Sequence, residues 1–149
     1  MSQINARDWT FEVTEDPTVA TPVWAEVGGL ESFTISNSEG EESTDTTTFA
    51  SAGNAESQAM QRGASCALEG KIVRTGATKD PGQAVVDTLA ELVGDASLGG
   101  FRFRHSTDTE WTVWTAWCSK GDNGGGNNDK TSWAATFTRS GAATTAAVV

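Results

Sequence analysis

The 149-residue sequence has no tyrosine, one histidine, three prolines and two cysteines. Each shortage removes a class of function. There is no H-E-x-x-H, no G-x-S-x-G, no phosphate-binding G-x-x-x-x-G-K-[ST] loop and no G-x-G-x-x-G turn, so the usual means of activating a nucleophile, a phosphate or a metal-bound water are missing. His105 alternates with Phe101 and Phe103, which puts it on the apolar side of a strand as a structural residue rather than a general base. Cys66 and Cys118 have neither CxxC spacing nor a histidine nearby, which argues against zinc and against a disulfide framework; two buried thiols are expected. The Asp122 to Lys130 segment, with Gly124, Gly125 and Gly126 at its centre, reads as a flexible connection. Its acids and amides lack the order and terminal glutamate of a calcium loop. No cofactor and no metal is expected. Residues 1 to 30 hold no sustained apolar run, and the one apolar stretch elsewhere is broken by Asp87 and Glu91. Neither a leader nor a membrane helix is expected, and the chain reads as a soluble protein made in the cytoplasm.

Basic charge is also scarce. Ten Lys and Arg face twenty Asp and Glu, a net charge of −10. Residues 1 to 60 carry eleven carboxylates against one base, Arg7, whereas acids and bases balance from residue 61 onward. Affinity for a duplex comes from Lys and Arg that displace counterions from its phosphates, so tight DNA binding is excluded.

The residues present spell a mainly β protein. Strand character is strong at Asp8 to Thr14, Val23 to Val27, Glu31 to Ser36, Thr44 to Phe49, Ala64 to Thr75, Gly100 to Ser106, Trp111 to Ser119 and Thr131 to Ser140. Ala64, Cys66, Leu68 and Ile72 alternate with Ser65, Glu69 and Lys71, the period of a half-buried strand. By the same alternation Arg102 and Arg104 face solvent or a partner. One helix is predicted from about Pro81 to Val93: Asp80 caps it, Pro81 takes the first helical position, Gln83 completes a capping box, and Val85, Val86, Leu89, Leu92 and Val93 form one apolar stripe before Gly94. Residues 37–62 are small, polar and acidic, a long exposed loop or a contact arm that orders on assembly. The expected architecture is a β-sandwich or barrel with one flanking helix, a single domain over residues 1–141 and a flexible tail over 142–149.

Six tryptophans stand in this background. Trp9, Trp24, Trp111, Trp117 and Trp133 suit inward positions, and Trp114 then falls on the opposite side of its strand from Trp111 and Trp117. Such a strand lies centrally between layers, or turns one side to another subunit, or offers an aromatic platform to sugars.

The order of features resembles the major tail tube proteins of long-tailed, siphovirus-type bacteriophages. It runs from Val27-Gly28-Gly29-Leu30-Glu31-Ser32-Phe33 through Asp45-Thr46-Thr47-Thr48, Ser51-Ala52-Gly53 and Glu56. Asp80-Pro81-Gly82-Gln83, Phe101-Arg102-Phe103 and Ser132-Trp133-Ala134-Ala135-Thr136-Phe137 complete it. The resemblance implies a non-enzymatic structural protein of the virion tail, made in the bacterial host. It implies hexameric rings whose strands join into one inner β-barrel, stacked into a tube through which DNA passes without tight binding. It further implies tail initiator and terminator proteins and a tape measure protein as partners, with no membrane. Under it, Glu31, Glu39, Glu41, Glu42, Asp45, Glu56 and Glu69 are candidates for the lumen or the stacking loop. Arg102, Arg104, Trp114 and Arg139 are candidates for contacts between subunits. The inner tube of a contractile tail or injection system, and a monomeric carbohydrate- or ligand-binding β-sandwich, are the alternatives.

Overall fold

Alternating apolar and polar residues are realised as an antiparallel β protein in the computed structural model, which describes residues 1–148. In chain order the elements are β1 (Trp9–Thr14), β2 (Ala25–Glu26), β3 (Leu30–Ser36), β4 (Glu42–Asp45), β5 (Ser57–Gln61), β6 (Ser65–Lys71), β7 (Arg74–Thr75), β8 (Thr78–Lys79), α1 (Pro81–Leu89), β9 (Gly99–His105), β10 (Glu110–Lys120), β11 (Ser132–Arg139) and β12 (Thr144–Ala147). The main sheet follows the path β2-β1-β9-β10-β11-β6-β3, and β12 pairs with the Glu110 to Val113 half of β10. β4 with β5, and β7 with β8, form separate two-stranded hairpins.

Sheet twist brings the far ends of this path together. The Phe33 ring of β3 lies 5.6 Å from that of Trp9 and 5.0 Å from that of Phe11, both on β1. No ladder joins β1 to β3 among the described residues, and a groove of about 460 Å³ lies between them. The sheet is therefore a flattened barrel left open along one seam. Inside it, the period-two alternation of every long strand delivers one apolar face. Phe101 stacks on Phe137 at 4.2 Å, Phe103 meets Trp114 edge-on at 5.2 Å, and Leu68, Cys66, Trp133 and Val13 fill the remaining space. Burial pushes the Cys66 thiol up to about 12 and, with help from the nearby Asp87 carboxylate, that of Cys118 to about 11, so both remain neutral.

Helix α1 closes one end of the barrel with Val86 and Leu89, and the Cys118 thiol donates to the Val86 carbonyl at 3.7 Å. Asp80 caps it as expected, accepting from Gln83 N at 3.2 Å, and the same carboxylate accepts from Gly28 N at 3.0 Å. Gln83 does not close the expected capping box, because Asp80 N donates to the Val73 carbonyl instead. Its buried amide donates to the carbonyls of Gly28 and Lys71, each at 2.9 Å, and accepts from Val73 N at 3.2 Å, tying β6 and the β2–β3 connection to the helix. Gly82 sits so close to this connection that a Cβ would lie 2.4 Å from the Glu26 carbonyl. Gln83→Ala strands three backbone groups away from water. It is expected to cost about 3 kcal/mol and to lower Tm by roughly 6–12 °C in a thermal melt.

Three further expectations are corrected by the structure. The helix ends at Leu89, and Leu92 and Val93 lie beyond it, exposed, because a short 3-10 turn at Gly94–Ser97 redirects the chain toward β9. The tail expected to be flexible supplies β12, since backbone pairing with β10 asks little of the side chains of Thr144–Ala147; its last residue, Val149, lies outside the described residues. The faces of β10 are reversed. Trp114, only 3% exposed, points into the core with Ala116 and Cys118, and Trp117 points out with 44% of its surface exposed. Alternation was read correctly, but the side facing inward was set by register: Trp114 stands opposite Phe101, which lies on the core face of β9.

Candidate assembly surface

Residues 37–62 form an arm, not a structureless loop. From Ser36 and Ser65, paired at the ends of β3 and β6, the chain leaves the barrel as the β4–β5 hairpin, with Thr44 opposite Gln58 and Asp45 opposite Ser57. β5 was missed in the sequence because Ser57–Gln61 is almost wholly polar, and the β4 strand is shifted to Glu42–Asp45 from the expected Thr44 to Phe49. The arm is held by its own hydrogen bonds. Glu56 N donates to Thr47 Oγ1 at 2.8 Å, Thr46 N to the Glu56 carbonyl at 3.0 Å, and Gln61 Nε2 to the Gly40 carbonyl at 2.6 Å. A capping box between Thr48 and Ser51 closes the tip. Ser51 is its one buried residue, and the Phe49 ring at the tip is fully exposed, as is most of Met60. A two-stranded hairpin with no apolar face is marginal in water, and this arm has no core of its own.

The acidic candidates fall in two places. Glu39, Glu41, Glu42, Asp45 and Glu56 all lie on the arm: the Ser65 hydroxyl donates to Glu39, and Glu41 pairs with Arg62 at 3.1 Å. Hydrogen bonds from the Thr47 side chain and amide hold the Asp45 carboxyl below its ordinary range. Glu31 and Glu69 lie on the barrel instead, Glu31 3.6 Å from Lys71 Nζ and Glu69 accepting from the Ser32 hydroxyl at 3.4 Å. Around Glu69, the outward face of β3, β6 and β11 has a consistent chemistry. Cross-strand rows place Thr34 beside Ala67 and Thr136, and Ser32 beside Glu69 and Ala134. The face is small-sided and hydroxylated, with Glu69 its charge at mid-strand.

The candidates for contacts between subunits are largely occupied within the protomer. Arg102 does point away from the core, but its Nε donates to Glu12 at 2.7 Å and its guanidinium lies 4.3 Å from both the Trp24 and Trp111 rings. Arg104 covers the other part of Trp111 at 5.1 Å. Trp111 and Trp24 are thus shielded by cations rather than by the core, an arrangement in which each planar guanidinium is attracted by the ring quadrupole. Trp114 is core and is unavailable to a neighbour. Arg139 is half-buried at the arm root, where its backbone N–H binds the Ala64 carbonyl at 3.0 Å. Sequence alternation gave Arg102 and Arg104 their outward direction, but only the fold supplied the rings they cover and the Glu12 carboxylate that holds Arg102.

No protein-family model and no curated protein matches the chain. Solved structures do. A chain of the virion of a native gene transfer agent particle superposes with a TM-score of 0.70 at 17% identity, over 97% of this chain and 100% of the other. A chain of the tail of an empty gene transfer agent particle, refined helically with C6 symmetry, gives 0.65 at 19% identity over 97% and 100%. A chain of the anti-feeding prophage baseplate, symmetrised six-fold, gives 0.60 at 11% identity over 99% and 97%. The chain shares its fold, over nearly its full length, with proteins of phage-tail-like particles.

Proposed function

We propose that the chain is the repeating subunit of a tail tube: a structural, non-enzymatic virion protein that forms hexameric rings and stacks them into a channel for DNA. The observation that carries this reading is the near end-to-end likeness to chains from six-fold symmetric tail assemblies. The open seam supports it physically. β3, and the Trp9–Thr10 part of β1 that β2 does not cover, leave unpaired backbone on either side of the seam, and a ring that continues the sheet from copy to copy removes such edges. The hydroxylated face of β3, β6 and β11 is the best wall for the channel. It offers phosphates no cation at mid-strand, and a ring of Glu69 carboxylates repels DNA over about 8 Å at physiological salt. The tail initiator, terminator and tape measure proteins are the partners this role requires. A non-contractile tail is the first reading; the likeness to the anti-feeding prophage chain favours, as the second, an inner tube of a contractile injection apparatus. The sugar-binding alternative loses its basis, because of the six tryptophans Trp117 alone is among the exposed large side chains.

Negative-stain electron microscopy of the purified protein at rising concentration, with light scattering, tests the proposal. Rings about six subunits round, or hollow tubes built from them, are the expected result. A monomer that persists when preformed tail tips are added as nuclei sinks it.

A further inference from the structure

We infer that rings stack by seating the acidic β4–β5 hairpin of one copy against the basic β7–β8 hairpin of a copy in the next ring. The inference rests on the tube reading and gives the tube its polarity. β3 and β6 each run seven residues, about 23 Å, from one end of the barrel to the other. At their Ser36 and Ser65 ends the acidic arm departs; β7–β8 follows from their Leu30 and Lys71 ends, so the root of the arm and the basic hairpin of one protomer lie at opposite ends of the same strand pair. A contact between unlike ends repeats without closing, which is how a stack of rings propagates.

The basic hairpin is not self-sufficient. Arg74 and Lys79 stand directly opposite each other in its two-residue ladder, and like charges so placed destabilise a strand pair. Lys79 reaches Asp87 at 3.7 Å, but that carboxylate is shared with Lys120 at 3.0 Å, and Arg74 has no ion pair among the described residues. These side chains line a recess of about 140 Å³ whose wall includes Trp133. The Trp133 indole N–H is buried and has no hydrogen-bond partner among the described residues. The recess thus asks for carboxylates. On the arm, Glu42, Asp45 and Glu56 are exposed and form no ion pair among the described residues, and the Thr47 hydrogen bonds keep Asp45 ionised. The cations named from sequence as candidates for contacts between subunits are placed elsewhere: Arg102 is held by Glu12, Arg104 lies over the Trp111 ring, and Arg139 sits at the arm's own root.

Two charge-inverted proteins and their combination test this. One carries Glu42→Lys, Asp45→Lys and Glu56→Lys; the other carries Arg74→Glu and Lys79→Glu; the third carries all five changes. With wild-type tubes as the reference, either partial inversion is expected to leave rings or tubes about ten-fold shorter, and the five-fold variant to recover length, because the charges again complement. A milder pair, Arg74→Gln with Lys79→Gln, is expected to shorten tubes without lowering Tm, which separates the contact from folding. Wild-type length in both partial inversions, or a five-fold variant that forms rings but no tubes, overturns the stacking contact while the tube reading stands. Absence of tubes from the wild type itself, nucleated as above, overturns the tube reading and this inference together.

Discussion

Replacing residues 41–61 by a short Asn-Gly turn is expected to leave a folded protomer that builds no tubes. The reason lies in where the arm's stability comes from. Apart from Ser51 its residues are exposed or half-exposed, and its internal hydrogen bonds join arm residues to one another. Removing it therefore takes almost nothing from the core, and Tm is expected to stay within about 3 °C of wild type. Gly40 and Arg62 then flank the cut, and the shortened connection joins Ser36 to Ser65, which are already paired at the ends of β3 and β6. Far-UV circular dichroism checks the fold and electron microscopy the assembly. A truncated protein that still forms long tubes removes the arm from the assembly surface. Loss of the folded signal instead shows that the arm stabilises the barrel, contrary to its burial pattern.

The opposite behaviour is expected of Phe137→Ala. Phe137 is almost fully buried and stacks on Phe101 at the centre of the barrel, between β9 and β11, which are neighbours of β10 on opposite sides. Truncating it forfeits both the transfer of a large ring from water and the packing around the cavity left behind, about 3–5 kcal/mol. At this size that is a drop in Tm of roughly 10 °C or more, with assembly lost only because the folded protomer is scarcer. Lowering the temperature of the assembly assay should then restore tubes. The two variants together divide the molecule into a part that folds and a part that joins.

How much of this was legible beforehand varied with the length of the signal. The alternation expected in Ala64 to Thr75 and Gly100 to Ser106, and the cap at Asp80, are local patterns whose physics acts over a few residues; the cap is in place and the strands are found at Ser65–Lys71 and Gly99–His105, the first ending four residues early. β5 and β12 were not legible, because small polar strands are fixed by the backbone of a partner far away in sequence. The reversal of Trp114 and Trp117 has the same origin. A strand apolar on both sides carries no local mark of which side is in, and the neighbouring register with Phe101 decides it.

The candidate residues divide similarly. The arm as an acidic, coreless segment followed from composition alone, since too few apolar residues occur in 37–62 to bury it. That Arg102 is consumed by Glu12 and two indoles, and that Lys79 and Lys120 share one carboxylate, could not follow, because these groups are brought together by pairing and helix packing rather than by local pattern. By itself the sequence determined the fold class, the one capped α-helix among the described residues and the existence of an exposed acidic arm, all properties set by local pattern and summed charge. Only the tertiary structure decided which charges remain free and at which end of the barrel they stand, because a charge's availability depends on its neighbours in space and not on its neighbours in the chain.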